Sequence, residues 1–210
     1  MTMGDEVPAW LAWVREIHQI GQTGLYYSQN EFDRERFQRL VGLSAEFIQK
    51  YSTGELENIQ VALNAQPGYV TPKVDVRGAV FRGEDVLMVK EITDGRWSLP
   101  GGWADVNEAP SKMVEREVSE ETGLRVKAKK LVAVYEANHD REPVNVFHSY
   151  KLLFLCDEIE GELRTSFETP EVRFFNRKQL PELSLFRTQE RYIDSAFRHK
   201  LSLDLPTEYD

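Results

Sequence analysis

The sequence predicts an α/β fold, a mixed sheet with flanking helices, preceded by a small helical unit. Three observations carry this. Apolar residues recur at spacings of three and four up to about residue 65, whereas β-rich runs dominate from Lys73 onward. Two of those runs flank Arg82-Gly83-Glu84-Asp85, which reads as a hairpin turn. A helical stretch bracketed by Pro110 and Gly123 then lies between strands, and helices mixed with hairpins favour a mixed sheet over a doubly wound parallel one.

In chain order, Trp10, Trp13, Val14 and Ile17 follow Pro8 at helical spacing, as the first turns of a helix. Phe37, Leu40, Val41, Ser44, Phe47, Ile48 and Tyr51 line one face of a second helix, with Ser28 or Asn30 as its cap and Gly54 as its stop. A short third helix is expected over 55–65, before Pro67-Gly68. Strands are expected over Val74–Phe81, Val86–Val89, Arg125–Ala137, Phe147–Cys156 and Glu171–Phe175, with a closing helix over Thr188–His199. The expected division is a helical domain over 1–70 and a second domain over 71–210.

With 210 residues, 41% of them apolar, the chain can bury a substantial core, which argues against disorder as its main state. A net charge of −9 argues against a protein built to grip nucleic acid. It does not argue against small anionic ligands, because bound metal ions reverse the local sign of an acidic site. The acidic start and the absence of a run of about 18 apolar residues predict neither a signal peptide nor a membrane span. A single cysteine, Cys156, is expected to be a buried thiol in a reducing, cytoplasmic compartment.

The chemistry concentrates between Gly101 and Leu124. Advancing about 100° per residue from Glu117, Glu120 falls near 300° and Glu121 near 40°, so three carboxylates share a face that adjoins Met113, Val114 and Val118. Like charges three and four apart destabilise a helix, and burial raises that cost. A divalent cation between them reverses the sign. Oxygen-only donors on a rigid helix suit Mg²⁺ or Mn²⁺ rather than zinc, and Pro100-Gly101-Gly102 lets backbone approach a metal or phosphate closely.

The run Gly102, five residues, Glu108, seven residues, then Arg116-Glu117-Val118-Ser119-Glu120-Glu121-Thr122-Gly123-Leu124 resembles the Nudix box at all nine defining positions. At about 7% usage per residue type, a chance match in such a chain is rarer than about one in a million. The resemblance implies a Nudix α/β/α sandwich over 71–210 and metal-dependent hydrolysis of a diphosphate. It implies Glu117, Glu120 and Glu121 as ligands of Mg²⁺ or Mn²⁺, Arg116 as the residue that aims a helix carboxylate, and Glu108 as a brace of the loop–helix junction. For the general base it leaves Glu168 and Glu142 as candidates, with Glu168 favoured, and Arg82 and Arg96 are candidate diphosphate contacts. Asn107 stands where the family commonly has glycine.

The box does not choose the substrate. The helical extension, Trp97–Val106 and Tyr150–Cys156 are similar to a bacterial CDP-choline pyrophosphatase and ADP-ribose pyrophosphatase-like group, which implies a small nucleoside diphosphate substrate. A non-catalytic nucleotide-sensing regulator and an RNA-processing Nudix enzyme are the alternatives; the complete box and the acidic charge disfavour the first, and the acidic charge alone disfavours the second, with which the box is compatible. The aromatic residues of the first two helices exceed what two short helices can hide, so a homodimer through them is expected.

Overall fold

A computed structural model describes residues 9–51, 70–137 and 148–210. The expected helix over 55–65, the stop at Gly54 and the Glu142 loop lie outside the described residues. The chain divides into two compact units, one holding the N-terminal helices and the other beginning at Lys73.

In the first unit α1 (Ala9–Tyr27) and α2 (Glu31–Tyr51) form a hairpin. Asn30 is the cap of α2: its Oδ1 accepts from the N–H groups of Phe32 at 2.9 Å and Asp33 at 3.2 Å. The Arg34 guanidinium donates to the carbonyl of Leu25 at 2.7 Å and satisfies an orphan acceptor at the end of α1. The buried stripe is Leu11, Val14, His18 and Gly21 against Val41, Ser44, Ala45 and Ile48. This is rotated from the expected face, because small and aliphatic residues let the helices approach while the aromatics move to the flank. Trp13 is 63% exposed, and Ile17, Phe47 and Tyr51 are exposed with it.

The second unit contains β1 (Lys73–Arg82), β2 (Asp85–Lys90), β3 (Trp97–Ser98), α3 (Pro110–Thr122), β4 (Leu124–Glu136), β5 (Ser149–Gly161), β6 (Glu171–Asn176), α4 (Glu190–Leu201) and β7 (Glu208–Tyr209). The strand order is β3-β2-β1-β5-β4-β7, with β6 paired to β2. The sheet is mixed: β1 runs parallel to β5, whereas β1–β2 and β4–β5 are antiparallel. The hairpin turns at Gly83 where the sequence marks it, with φ +56°.

The sheet is covered on both faces, as the predicted α/β/α sandwich requires. On one face Val76, Val80 and Leu87 pack against Met113, Val114 and Val118 of α3. Full burial of such side chains contributes roughly 1.5–3 kcal/mol each. The close approach is made at Gly78, where a Cβ would lie 2.7 Å from Cγ2 of Val118. On the other face Ala79, Val86 and Leu153 pack against Tyr192, Ile193 and Ala196 of α4.

Four elements differ from expectation. β5 continues through Asp157–Gly161, a mostly acidic stretch that reads as loop but that holds register with the start of β4. The two-residue strands β3 and β7 have no sequence period. The closing helix starts at Glu190, because Thr188 turns back to bond the N–H of Leu99 at 2.9 Å. Among the described residues no helix is long and apolar enough to cross a membrane.

Candidate active site

The site is built where the loop before α3 is added to β1 as a short extra strand. The N–H of Val76 donates to the carbonyl of Gly102 at 2.9 Å, the N–H of Gly78 to Pro100 at 2.9 Å, and the N–H of Ala104 to Val74 at 2.8 Å. Gly101 has φ +141°, and a Cβ there would lie 2.0 Å from the Val76 carbonyl oxygen, so only glycine passes. A Cβ on Gly102 would lie 2.9 Å from Oε2 of Glu117. The two glycines therefore bring loop backbone against the carboxylates of α3.

Pro110 opens α3 at its first turn, and Gly123 closes it in the left-handed conformation, φ +77°. Asn107 also takes a left-handed conformation, φ +67°, which asparagine tolerates better than most side chains. The three helix glutamates are not equivalent. The Glu117 side chain is 15% exposed, Glu120 is 59% exposed on the solvent rim, and Glu121 is directed inward, where its Oε2 accepts the N–H of Gly101 at 2.9 Å. Burial pushes the Glu121 carboxyl up to about 8 against the opposing pull of Arg77 and the Gly101 N–H, and burial likewise raises Glu117.

Arg116 is the hub of the outer edge. Its guanidinium contacts Glu108 at 3.0–3.3 Å, Asp105 at 2.9 Å, Glu117 at 3.0 Å and Glu120 at 2.8 Å. Glu108 thus ties the loop to the helix. Among the described residues no three Asp, Glu, His or Cys side chains converge as a ready-made metal cluster. The donor chemistry nonetheless fits a hard divalent cation: Glu117 and Glu121 are largely buried carboxylates beside backbone that only glycine can bring so close.

Sequence reasoning missed the floor of the site. Arg77, 4% exposed, grips Asp75 through Nε at 2.8 Å and Nη2 at 2.9 Å, and its Nη1 donates to the Leu99 carbonyl at 3.0 Å. Lys151 on the neighbouring strand reaches Asp75 at 3.0 Å. Burial alone raises the Asp75 carboxyl; Arg77 and Lys151 outweigh it and hold it below the usual range. Glu91, also buried, accepts from Ser98 Oγ at 2.6 Å and pairs with Arg187 at 3.0 Å. The available signal was the charge interrupting Val74-Asp75-Val76-Arg77, which alternation assigns to solvent.

Glu168 is exposed, and its loop is anchored at the site: Thr169 Oγ1 donates to the Glu121 carbonyl at 2.8 Å and the N–H of Ile92 to the Glu168 carbonyl at 3.1 Å. Arg82 and Arg96 are not brought to the carboxylates. Arg82 is held by both oxygens of Glu158 beside the hairpin turn, and Arg96 pairs with Glu182 at 2.9 Å. Cys156 is buried, and burial pushes its thiol up to about 12, which makes it an inert core residue.

Comparison with known proteins bears on both units of the chain. A NUDIX domain model matches residues 71–196, and a model described as a UDP-X-like, N-terminal oligomerisation domain matches residues 8–63. The putative ADP-ribose pyrophosphatase YjhB of Bacillus subtilis is 36% identical over 201 residues, covering 96% of this chain and 97% of that protein. The crystal structure of an ADP-ribose pyrophosphatase from Streptococcus suis, 35% identical, superposes with a TM-score of 0.60 over 67% of this chain and all of that one. That of a UDP-X diphosphatase, 28% identical, superposes with a TM-score of 0.62 over 96% of this chain and 98% of the other.

Proposed function

The chain belongs to the Nudix hydrolase family, and we propose that it hydrolyses the diphosphate bond of a small nucleoside diphosphate derivative, with UDP-linked compounds, ADP-ribose and CDP-choline as the compounds to test. The observation that carries this reading is Glu121, an inward carboxylate fixed by the Gly101 N–H at the mouth of a complete Nudix box. A relative named as a putative ADP-ribose pyrophosphatase and a solved UDP-X diphosphatase support it over nearly the whole chain.

In this reading Glu117, Glu120 and Glu121 would hold Mg²⁺ or Mn²⁺, which when bound would supply Lewis acidity toward phosphate oxygens and make water easier to deprotonate near neutral pH. Gly101 fixes the direction of Glu121, and Arg116 restrains Glu120 and Glu117 on the outer edge. Glu168, on the loop that Thr169 anchors to α3, takes the proton of the attacking water. The N-terminal helices join two copies: Trp13, Ile17 and Ile20 on α1 and Phe47 and Tyr51 on α2 are exposed, and ring contacts Trp10–Tyr51 at 5.3 Å and Phe47–Tyr51 at 5.2 Å link the two aromatic clusters.

The deciding experiment is a panel of nucleoside diphosphate compounds with Mg²⁺ or Mn²⁺ in ¹⁸O-labelled water, with products identified. Glu121→Gln is expected to lower kcat at least about 100-fold on the best substrate. Unchanged turnover in that variant, or no turnover of any compound by the wild type, would overturn the reading.

A further inference from the structure

The carbonyls of Glu121 and Thr122 lie in the last turn of α3, where an α-helix supplies no N–H group to meet them. The segment between β5 and β6 satisfies both. Thr169 Oγ1 donates to Glu121 at 2.8 Å, and the N–H of Arg164 donates to Thr122 at 2.8 Å. Thr169 is fully buried, so this bond forms out of reach of solvent.

The same hydroxyl closes the neck of a turn over Ser166–Thr169. The Ser166 N–H donates to the Thr169 carbonyl at 3.1 Å, the Thr169 N–H donates to Ser166 Oγ at 3.1 Å, and the two hydroxyl oxygens lie 2.7 Å apart. Because the one hydroxyl proton of Thr169 goes to Glu121, Ser166 is the donor of that last bond. Phe167 and Glu168 form the exposed tip. The turn is fastened again by the N–H of Ile92, which donates to the Glu168 carbonyl at 3.1 Å just beyond the β2–β6 ladder, whose last pair is Lys90 with Glu171. Pro170 restricts Thr169 to extended backbone. Glu168 thus has a fixed main chain and, among the described residues, a carboxylate with no hydrogen bond or ion pair.

The helix is the rigid partner in this contact, because Met113, Val114 and Val118 seat it on the sheet. What the Thr169 hydroxyl fixes is therefore the turn. Building on the proposed hydrolase reading, we infer that Thr169 is the positioning residue of the general base: its hydroxyl sets the Glu168 turn against the last turn of α3, so that Glu168 keeps a constant place relative to Glu121. A hydroxyl is required because the side chain must donate to the Glu121 carbonyl and accept from Ser166 at once. Valine has nearly the same shape and does neither.

The test is a set of variants of the full-length protein, assayed with Mg²⁺ on the best nucleoside diphosphate substrate. Thr169→Val is expected to lower kcat about tenfold or more with KM changed less than about threefold, because a misplaced base slows the reaction and leaves binding intact. Thr169→Ser, which keeps the hydroxyl, restores most of the loss. Ser166→Ala lowers kcat in the same sense and takes the place of Thr169→Val should that variant not fold. The decisive comparison is made in a Glu168→Gln background, where no base is left to position and Thr169→Val is expected to cost less than about threefold further. Additive losses would mean that Thr169 acts on the fold or on α3 and would overturn the inference. Near-wild-type kcat in Thr169→Val, or failure of Thr169→Ser to restore it, overturns it as well and leaves the hydrolase reading standing. Unchanged kcat in Glu168→Gln removes the base and the inference together, whereas a wild type that hydrolyses no compound removes the hydrolase reading and all that rests on it.

Discussion

The backbone N–H of Gly101 donates to Oε2 of Glu121 at 2.9 Å, and nothing larger than glycine can make that donation. A Cβ at position 101 collides with the Val76 carbonyl, and the φ of +141° is one that L side chains rarely adopt. Gly101→Ala must therefore push the loop off β1 and release Glu121. The expected result is a fall in kcat of about 100-fold, because a displacement of about 1 Å near a reacting group costs that much. Steady-state kinetics on the best nucleoside diphosphate substrate checks it; near-wild-type kcat would show that the Gly101 contact does not govern the site.

The exposed aromatic flank of the N-terminal hairpin leads to a prediction on assembly. Trp13→Glu and Phe47→Glu each place a charge on that flank without touching the Leu11, Val14, Val41 and Ile48 stripe inside the hairpin. Sedimentation of the wild type at micromolar concentration is expected to give a dimer and of the double variant a monomer, with helical circular dichroism retained. A wild-type monomer, or a dimer that survives both charges, would place the flank outside the interface.

The sequence exposed most of the sheet because β1, β2, β4 and β6 are half-buried or buried strands with a strong apolar pattern, and it exposed α3 because the Nudix spacing and the Pro110 and Gly123 brackets coincide. What it hid has physical causes. Leu11 rather than Trp13 enters the helical hairpin because packing distance, which the 3.6 period does not encode, selects the smaller residue. β7 exists because Glu208 is gripped by side chains 9 to 73 positions away along the chain, and no local signal marks that. At the site, the glutamates were legible as a helix face, but their inequality was not: the inward turn of Glu121 and the outward pull on Glu120 depend on Gly101 and Arg116. Asp75, Arg77 and Lys151 were invisible as a group because it takes parallel pairing of β1 with β5 to bring residues 75 and 151 together.

That buried group makes a stability prediction. Asp75 is the anion that Arg77 and Lys151, 4% and 5% exposed, share. Asp75→Ala leaves two cations with no carboxylate between them in a poorly solvated site. Breaking a buried ion cluster by removing one partner costs about 3–5 kcal/mol. Urea unfolding is expected to show a loss of that size, with the slope unchanged. A loss under about 1 kcal/mol would mean that water or relaxation reaches the cluster.

The last prediction concerns acid and lies away from the site. Glu208 on β7 accepts from the Tyr135 hydroxyl at 2.6 Å, Ser195 Oγ at 2.8 Å and the Arg198 guanidinium at 2.7 Å, with His199 Nε2 at 3.1 Å. Burial raises its carboxyl, but the bonds from Tyr135, Arg198 and Ser195 outweigh it and bring it down to about 2, from 4.5 when unfolded. A depressed carboxyl stabilises the fold wherever the unfolded chain is already ionised. The contribution is therefore complete above about pH 5.5 and is lost as pH falls through 4.5 toward 2. Its size is on the order of 2–3 kcal/mol, the lower end reflecting the quarter of the side chain that stays exposed to solvent. Glu208→Gln is expected to lose stability of that order at pH 7 and to show a flatter decline between pH 5 and pH 3. Parallel denaturation curves for the two proteins across that interval would show that Glu208 does not carry the acid sensitivity.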